Sequence, residues 1–243
     1  REYADRQIAI QREGFKRLGV LGTWDDPYAS NKFAYEANMI RALARIIEGG
    51  HLDEGVKPVN WCFDCGSALA EAEIEYQDKT SPAIDVLFEA RDKKAMLGAF
   101  GVDDINGEVG IPIWTTTPWT LPANEAVALH PDFDYVLVKG RWQEQTLAIV
   151  LAGELKEAVI RRIGLEDAEE LGACTGAVLE HQLLQHPFYD RQVPVILGDH
   201  VTTEAGTGAV HTAPGHGEED FIVGKPYDLP VTSPVGGNGL FLP

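Results

Sequence analysis

Ile111-Pro112-Ile113-Trp114-Thr115-Thr116-Thr117-Pro118-Trp119-Thr120-Leu121-Pro122-Ala123-Asn124 changes character in its middle. Ile111 to Thr116 is a short apolar run ending in β-branched threonines, which suit the pleated surface of a strand. Pro118 then stops the ladder, because it has no N–H to donate. Strand side chains alternate, so Thr115 and Thr117 are expected on one face and Thr116 on the other. Shape alone accounts for threonines in a strand. The two prolines and Asn124, however, hold the chain out of regular pairing where several hydroxyl and amide groups converge, and loops of this kind carry function more often than cores do.

The same texture surrounds this stretch from about residue 80 onward. Ile84 to Phe88, Tyr135 to Lys139, Leu147 to Leu151 and Val193 to Leu197 are β-prone runs separated by Gly, Pro and Asp clusters, and they predict a mixed or barrel-like sheet. A helix from about Ala152 to Ile163 interrupts it, and a short one is expected near Glu218. Toward the N-terminus the period changes. Ala4, Ile8, Phe15 and Leu18 recur at helical spacing before Gly19, and Ala37, Ile40, Ala44 and Ile47 repeat the pattern before Gly49-Gly50. The fold class read from the chain is therefore mixed α/β: a helical segment over 1–57, a Cys-x-x-Cys connector over 58–80, and a barrel-like sheet with flanking helices over 81–243. The chain lacks an initiator methionine, starts in a helical pattern and stops in a glycine-rich stretch, so a piece of a longer protein is expected.

At 243 residues with 44% hydrophobic content, the chain is long enough to bury a substantial core. Its net charge of −18 argues against holding nucleic acid by general attraction, which needs lysines and arginines to replace counterions on phosphates. No apolar run approaches the roughly 20 residues that span a bilayer, so no membrane partner is expected. Three cysteines make no disulfide framework, which favours a reducing compartment and a cytoplasmic location.

A second polar loop, Gly206-Thr207-Gly208-Ala209-Val210-His211-Thr212-Ala213-Pro214-Gly215-His216-Gly217-Glu218-Glu219-Asp220, reads as the other wall of one pocket. It lacks the lysine and hydroxyl of a nucleotide-binding P-loop. His211 alone is what a hydrogen-bonded core histidine would look like, His216 between glycines suits a turn, and Glu218, Glu219 and Asp220 suit a helix start, where the dipole favours acids. The serines at 30, 67, 81 and 233 lie in no nucleophile elbow, and no histidines are paired as in a metal hydrolase. Cys62-Phe63-Asp64-Cys65 has the spacing of half a zinc knuckle, but tetrahedral zinc wants four ligands and Cys174 is distant.

WTTTPWTLPAN (114–124) and GTGAVHTAPGHGEEDF (206–221), with KPVNWCFDCGSALAEAEIEY (57–76), closely resemble the isoleucyl-tRNA synthetases, specifically the editing insertion (connective polypeptide 1) in their catalytic domain. The valyl and leucyl enzymes are similar around these motifs but carry an arginine after the threonines and an aspartate after the later histidine; this chain has Thr117-Pro118 and His216-Gly217. The resemblance implies a β-barrel-like editing domain that hydrolyses valine mischarged on isoleucine tRNA, and valyl-adenylate as a further substrate. It implies that Thr115, Thr116 and Thr117 bind the terminal adenosine and position the attacking water, together with Asn124. It further implies that Asp220 captures the α-ammonium, that His211 lines the amino-acid pocket, and that Trp119 packs on the adenosine or shapes the entrance. The implied partners are the 3′ end of the isoleucine tRNA and the rest of the synthetase chain. No cofactor is expected for editing, and Cys62 and Cys65 would be an incomplete structural zinc half-site. A non-catalytic tRNA- or adenosine-binding module is the alternative reading.

Overall fold

Apolar residues at helical spacing form two helices in the first of two units, Arg1–Gly55 and Val56–Pro243, of a computed structural model that describes residues 1–243. They are α1 (Glu2–Arg17) and α2 (Phe33–Glu48). Glu2 and Asp5 in the first turn of α1, with Lys16 and Arg17 in its last, complement the helix dipole. Neither helix buries a residue, and Phe33, Ile40 and Ile47 of α2 stand exposed.

The second unit begins with a small antiparallel hairpin, β1 (Trp61–Cys62) and β2 (Ser67–Ala68). Its body is a nine-stranded sheet. The strands are β3 (Ile84–Ala90), β4 (Glu108–Thr115), β5 (Ala126–Leu129), β6 (Asp134–Trp142), β7 (Gln145–Ala152), β8 (Glu166–Thr175), β9 (Leu183–Gln185), β10 (Gln192–Leu197) and β11 (Ala209–Thr212), in the spatial order β11-β5-β10-β9-β3-β4-β7-β6-β8. Pairs β10–β5 and β4–β7 are parallel; the rest are antiparallel. The mixed α/β expectation holds, but the barrel-like description needs correction: β11 and β8 are edges, and the ladder does not close.

Residues alternate between two apolar layers across β6 and β7. Leu137 and Val150 join Phe88, Ile111, Ile113, Val127 and Val195 in the main core, under Met96 and Leu97 of α3 (Lys93–Ala99). Val136, Val138, Ile149 and Leu151 face the other way, onto Val159 of α4 (Lys156–Ile163). Burial on both faces explains the nearly continuous apolar runs there. The expected helix over 152–163 is shorter than its pattern, because β7 runs to Ala152 and a 3-10 turn, Gly153–Leu155, precedes α4.

Asp92 caps α3, its side chain accepting the Ala95 N–H at 3.0 Å. Asp92→Ala is expected to cost about 1 kcal/mol of stability, as cap removal generally does. Chemical denaturation of this chain measures it, and an unchanged midpoint at equal slope would remove the cap from the account.

Candidate active site

β4 ends at Thr115, and Pro118 to Ala123 turn as a 3-10 helix before β5 begins at Ala126. Antiparallel pairing of β11 with β5 sets His211 opposite Val127 and Thr212 opposite Ala126. The second loop therefore meets the first through sheet register. Thr115 is buried, and its Oγ1 accepts the Thr117 N–H at 3.0 Å and lies 3.2 Å from Thr117 Oγ1. Thr116, Thr117 and Trp119 are exposed, so the threonine run is half anchor and half open surface.

Asn124 and His211 form the interior of the site. The Asn124 Nδ2 group donates to Ala126 O at 2.8 Å and to His211 Nδ1 at 3.1 Å, with Thr212 O at 3.5 Å. Two carbonyls can only face a donor, which fixes the amide's orientation and leaves Nδ1 as the accepting nitrogen. His211 Nε2–H then donates to Thr120 Oγ1 at 2.8 Å, whose own hydrogen goes to Thr117 O at 2.8 Å. Both imidazole nitrogens are thus committed. Burial above all, with His216 and His186 adding to it, pushes the His211 pKa down to about 4, so the ring is neutral at pH 7.

The 3-10 turn is braced from outside the two loops. His186, itself buried, donates from Nε2 to Leu121 O at 3.0 Å while its Nδ1 accepts the Tyr189 N–H at 3.1 Å. Arg191 donates to Pro122 O at 3.1 Å and pairs with Glu125 at 3.2 Å.

In the second loop, Gly206, Thr207 and Gly208 offer their carbonyls to Arg162 at 3.0 Å, Ala152 N–H at 2.9 Å and Tyr135 Oη–H at 2.5 Å. Gly208 has φ +77°, and a Cβ there would lie 2.3 Å from that of Ala152. Glycine is needed at 208 for packing against β7 rather than for a phosphate. After β11, Ala213–Gly217 forms a tight turn into α5 (Glu218–Gly224). Asp220 lies in the first turn of α5, and its Oδ2 accepts the Ala213 N–H at 2.9 Å. Burial raises its carboxyl above the usual range, opposed first by the Ala213 hydrogen bond.

Thr115, Thr117, Thr120, Asn124 and His211 thus form one hydrogen-bonded network, and His216 is near enough to both His211 and Asp220 to influence their protonation. Cys62 and Cys65 belong to the β1–β2 hairpin instead. A separate apolar groove of about 300 Å³, lined in part by Val86, Pro112, Trp142 and Ile163, touches none of these residues. Thr120 and His186 were not singled out by the sequence reading; Thr120 stood in the quoted loop, but its partner lies across the sheet and leaves no local signature.

Fold and site define a class of protein. Residues 1–211 match the model described as tRNA synthetases class I (I, L, M and V), and the chain belongs to that family. Within it, the chain is 58% identical over 248 residues to the isoleucine–tRNA ligase of Alkalilimnicola ehrlichii, covering 100% of this chain and 26% of that protein. The isoleucine–tRNA ligase of Shewanella amazonensis is 58% identical over 241 residues, covering 99% and 26%. The chain spans about a quarter (26%) of the length of the curated relatives it matches. The fold is similar to that of the editing domain of the P. knowlesi cytosolic leucyl-tRNA synthetase, with a TM-score of 0.50 at 10% identity over 61% of this chain and 64% of that one.

Proposed function

We propose that this site hydrolyses valine wrongly esterified to isoleucine tRNA, and valyl-adenylate as well, within a larger isoleucine–tRNA ligase. The need for such a site is physical. One methylene is worth only about 1–3 kcal/mol of binding, a general magnitude for which isoleucine against valine is the standing example, so a single pocket cannot exclude valine well enough. The observation that carries the reading is the neutral, doubly hydrogen-bonded His211, linked by the influence of His216 on both to the partly desolvated Asp220 carboxylate. A rigid wall and an ammonium anchor are what a size-selective amino-acid pocket requires.

In this reading Asp220 holds the α-ammonium and His211 limits the side chain. The exposed Thr116, Thr117 and Trp119 meet the terminal adenosine, while Thr115 and Asn124 hold the loop and the histidine in place. The aminoacyl ester is already activated, so positioning a water and stabilising the developing oxyanion accelerate hydrolysis without a protein nucleophile. His211 is no general base, because Asn124 occupies its one lone pair; the neighbouring hydroxyl of the substrate ribose relays the proton, taking it from the attacking water while giving its own to the departing ribose oxygen. The 3′ end of the tRNA supplies the ester. Its wider grip comes from the rest of the synthetase, to which the exposed apolar residues of α2 offer a surface for packing.

Zinc fits the hairpin only in part. Cys62 Sγ accepts the Cys65 N–H at 3.3 Å, a bond that lowers the Cys62 pKa, and Gly66 N–H closes the turn onto Cys62 O at 2.8 Å. Cys174 is no third ligand of ready character, since burial pushes its thiol up to about 11. Cys62 and Cys65 would hold one side of a structural zinc that needs two further ligands. The chemistry at the two loops is separate from it, as His211 has no free nitrogen to give a metal. Hydrolysis of valyl-tRNA by the full synthetase is therefore expected to survive a strong chelator. Loss of activity restored by zinc, with folding intact by circular dichroism, would contradict this.

The deciding experiment for the reading as a whole is deacylation of preformed valyl-tRNA by the full-length synthetase. Hydrolysis that disappears with site substitutions supports it, and binding without hydrolysis would leave an adenosine-binding module.

A further inference from the structure

His216 sits in the Ala213–Gly217 turn, and Ala213 ties it to Asp220. The Ala213 carbonyl accepts from His216 N at 2.9 Å and Gly217 N at 3.2 Å, while the Ala213 N–H donates to Asp220 Oδ2 at 2.9 Å. A Cβ on Gly217 would fall 2.8 Å from Asp220 Oδ2, so glycine at 217 lets the carboxylate lie directly against the turn. The turn and the aspartate are thus tied together before any ligand arrives, and the His216 ring is near enough to Asp220 for each to act on the other's protonation. His216 Nε2 is buried and has no hydrogen-bond partner. Native proteins rarely leave a buried polar atom in that condition without a reason.

Burial pushes the His216 imidazole below its ordinary pKa, more than the Asp220 carboxylate raises it. The ring is neutral at pH 7 and has a lone pair to offer. The other ionisable groups around the pair are His211, which is neutral, and His200 and Glu219, which act on Asp220 in opposite directions. An ammonium has three N–H groups to satisfy, and Asp220 Oδ2 is already engaged. A neutral imidazole adds an acceptor without adding a second charge for a desolvated pocket to hold.

We propose that His216 is the second acceptor of the substrate's α-ammonium, its Nε2 taking one N–H while the Asp220 carboxylate takes another and supplies the counter-charge. The inference rests on the editing reading and names a specificity residue within it. Substrates with a free α-amino group are selected over those lacking one by two groups rather than one.

The test compares two ligands of the full-length synthetase, with its aminoacylation site blocked by an isoleucyl-adenylate analogue. One is amide-linked valyl-2′-amino-2′-deoxyadenosine; the other is its isovaleryl counterpart, which lacks only the amino group. Calorimetry on His216→Ala is expected to show the valyl ligand weakened about tenfold, the loss of one hydrogen bond to a charged donor, with the isovaleryl ligand unchanged. His216→Gln, whose side-chain oxygen also accepts, recovers most of the affinity. Equal weakening of both ligands would assign His216 to the fold, and an unchanged valyl affinity would remove it from the pocket; either overturns the proposal. If the unmutated enzyme itself binds both ligands equally, ammonium capture at Asp220 falls and His216's part falls with it.

Discussion

Asp220→Ala is expected to weaken binding of a valyl ester by about 1.5–3 kcal/mol, the worth of a hydrogen bond to a charged group, or roughly 10- to 150-fold. Asp220→Asn should recover little, because the amide carries no counter-charge for the ammonium. Deacylation of valyl-tRNA by the full-length mutants measures both, and an unimpaired rate would remove Asp220 from the site. The raised carboxyl pKa gives the effect a pH signature. Capture needs the anion, so valyl affinity should fall with decreasing pH sooner than an ordinary carboxylate would allow. Stability moves the opposite way. The folded chain holds this proton to higher pH than the unfolded one, so the group's contribution is lost as pH rises through the raised value. Asp220→Asn is therefore expected to raise the melting temperature of the free protein at neutral pH while it impairs capture.

His211→Ala should open the pocket to isoleucine. A packed wall penalises an added methylene by about 1–3 kcal/mol of overpacking, and removing the imbundled imidazole removes that penalty. The mutant should begin to hydrolyse correctly charged isoleucyl-tRNA, while valine hydrolysis falls less than in the Asp220 mutants, since the anchor and the threonines remain. The substitution also breaks the bonds to Asn124 and Thr120, so it is made in the full enzyme and checked for folding. His211 further predicts an acid limit. Its pKa of about 4 in the folded chain against 6.5 unfolded costs nothing above pH 6.5. Below that the unfolded chain takes the proton first, and about 3 kcal/mol of stability is lost progressively down to pH 4. A His211→Phe variant should resist acid better. If isoleucyl-tRNA stays untouched while valine hydrolysis collapses, His211 acts on chemistry or fold, and the sieve lies elsewhere.

Much of the sheet was legible because its central strands are buried and rich in apolar, β-branched residues, as at Tyr135 to Lys139 and Leu147 to Leu151. β8 was not, for a physical reason. It is an edge strand carrying Glu166, Asp167, Glu169 and Glu170, mostly exposed, and it pairs irregularly with β6. Charges that protect an edge from further pairing also hide it from a pattern of apolar alternation. α3 has only seven residues, too few for a helical period to declare itself. Closure is equally silent in the sequence, since it depends on whether β11 and β8 meet.

The site divides in the same way. Alternation expected Thr115 and Thr117 on one strand face, but β4 ends at Thr115. Thr115 is buried, Thr117 exposed, and a local turn in which the Thr117 N–H donates to Thr115 Oγ1 brings their hydroxyls within 3.2 Å. Nothing in either loop announces that Thr120 bonds His211, because that contact is created by the register of β11 on β5. The tautomer of His211 and the exposed halves of the threonine run likewise required the fold.

The central claim is that this pocket discriminates valine from isoleucine while hydrolysing the ester. Its most direct test is the ratio of deacylation rates of preformed valyl-tRNA and isoleucyl-tRNA, both on isoleucine tRNA, by the unmutated full-length synthetase without ATP. Valyl-tRNA should be hydrolysed about 10- to 200-fold faster, the range one methylene can command. Equal rates on the two charged tRNAs, or no hydrolysis of either, would contradict it.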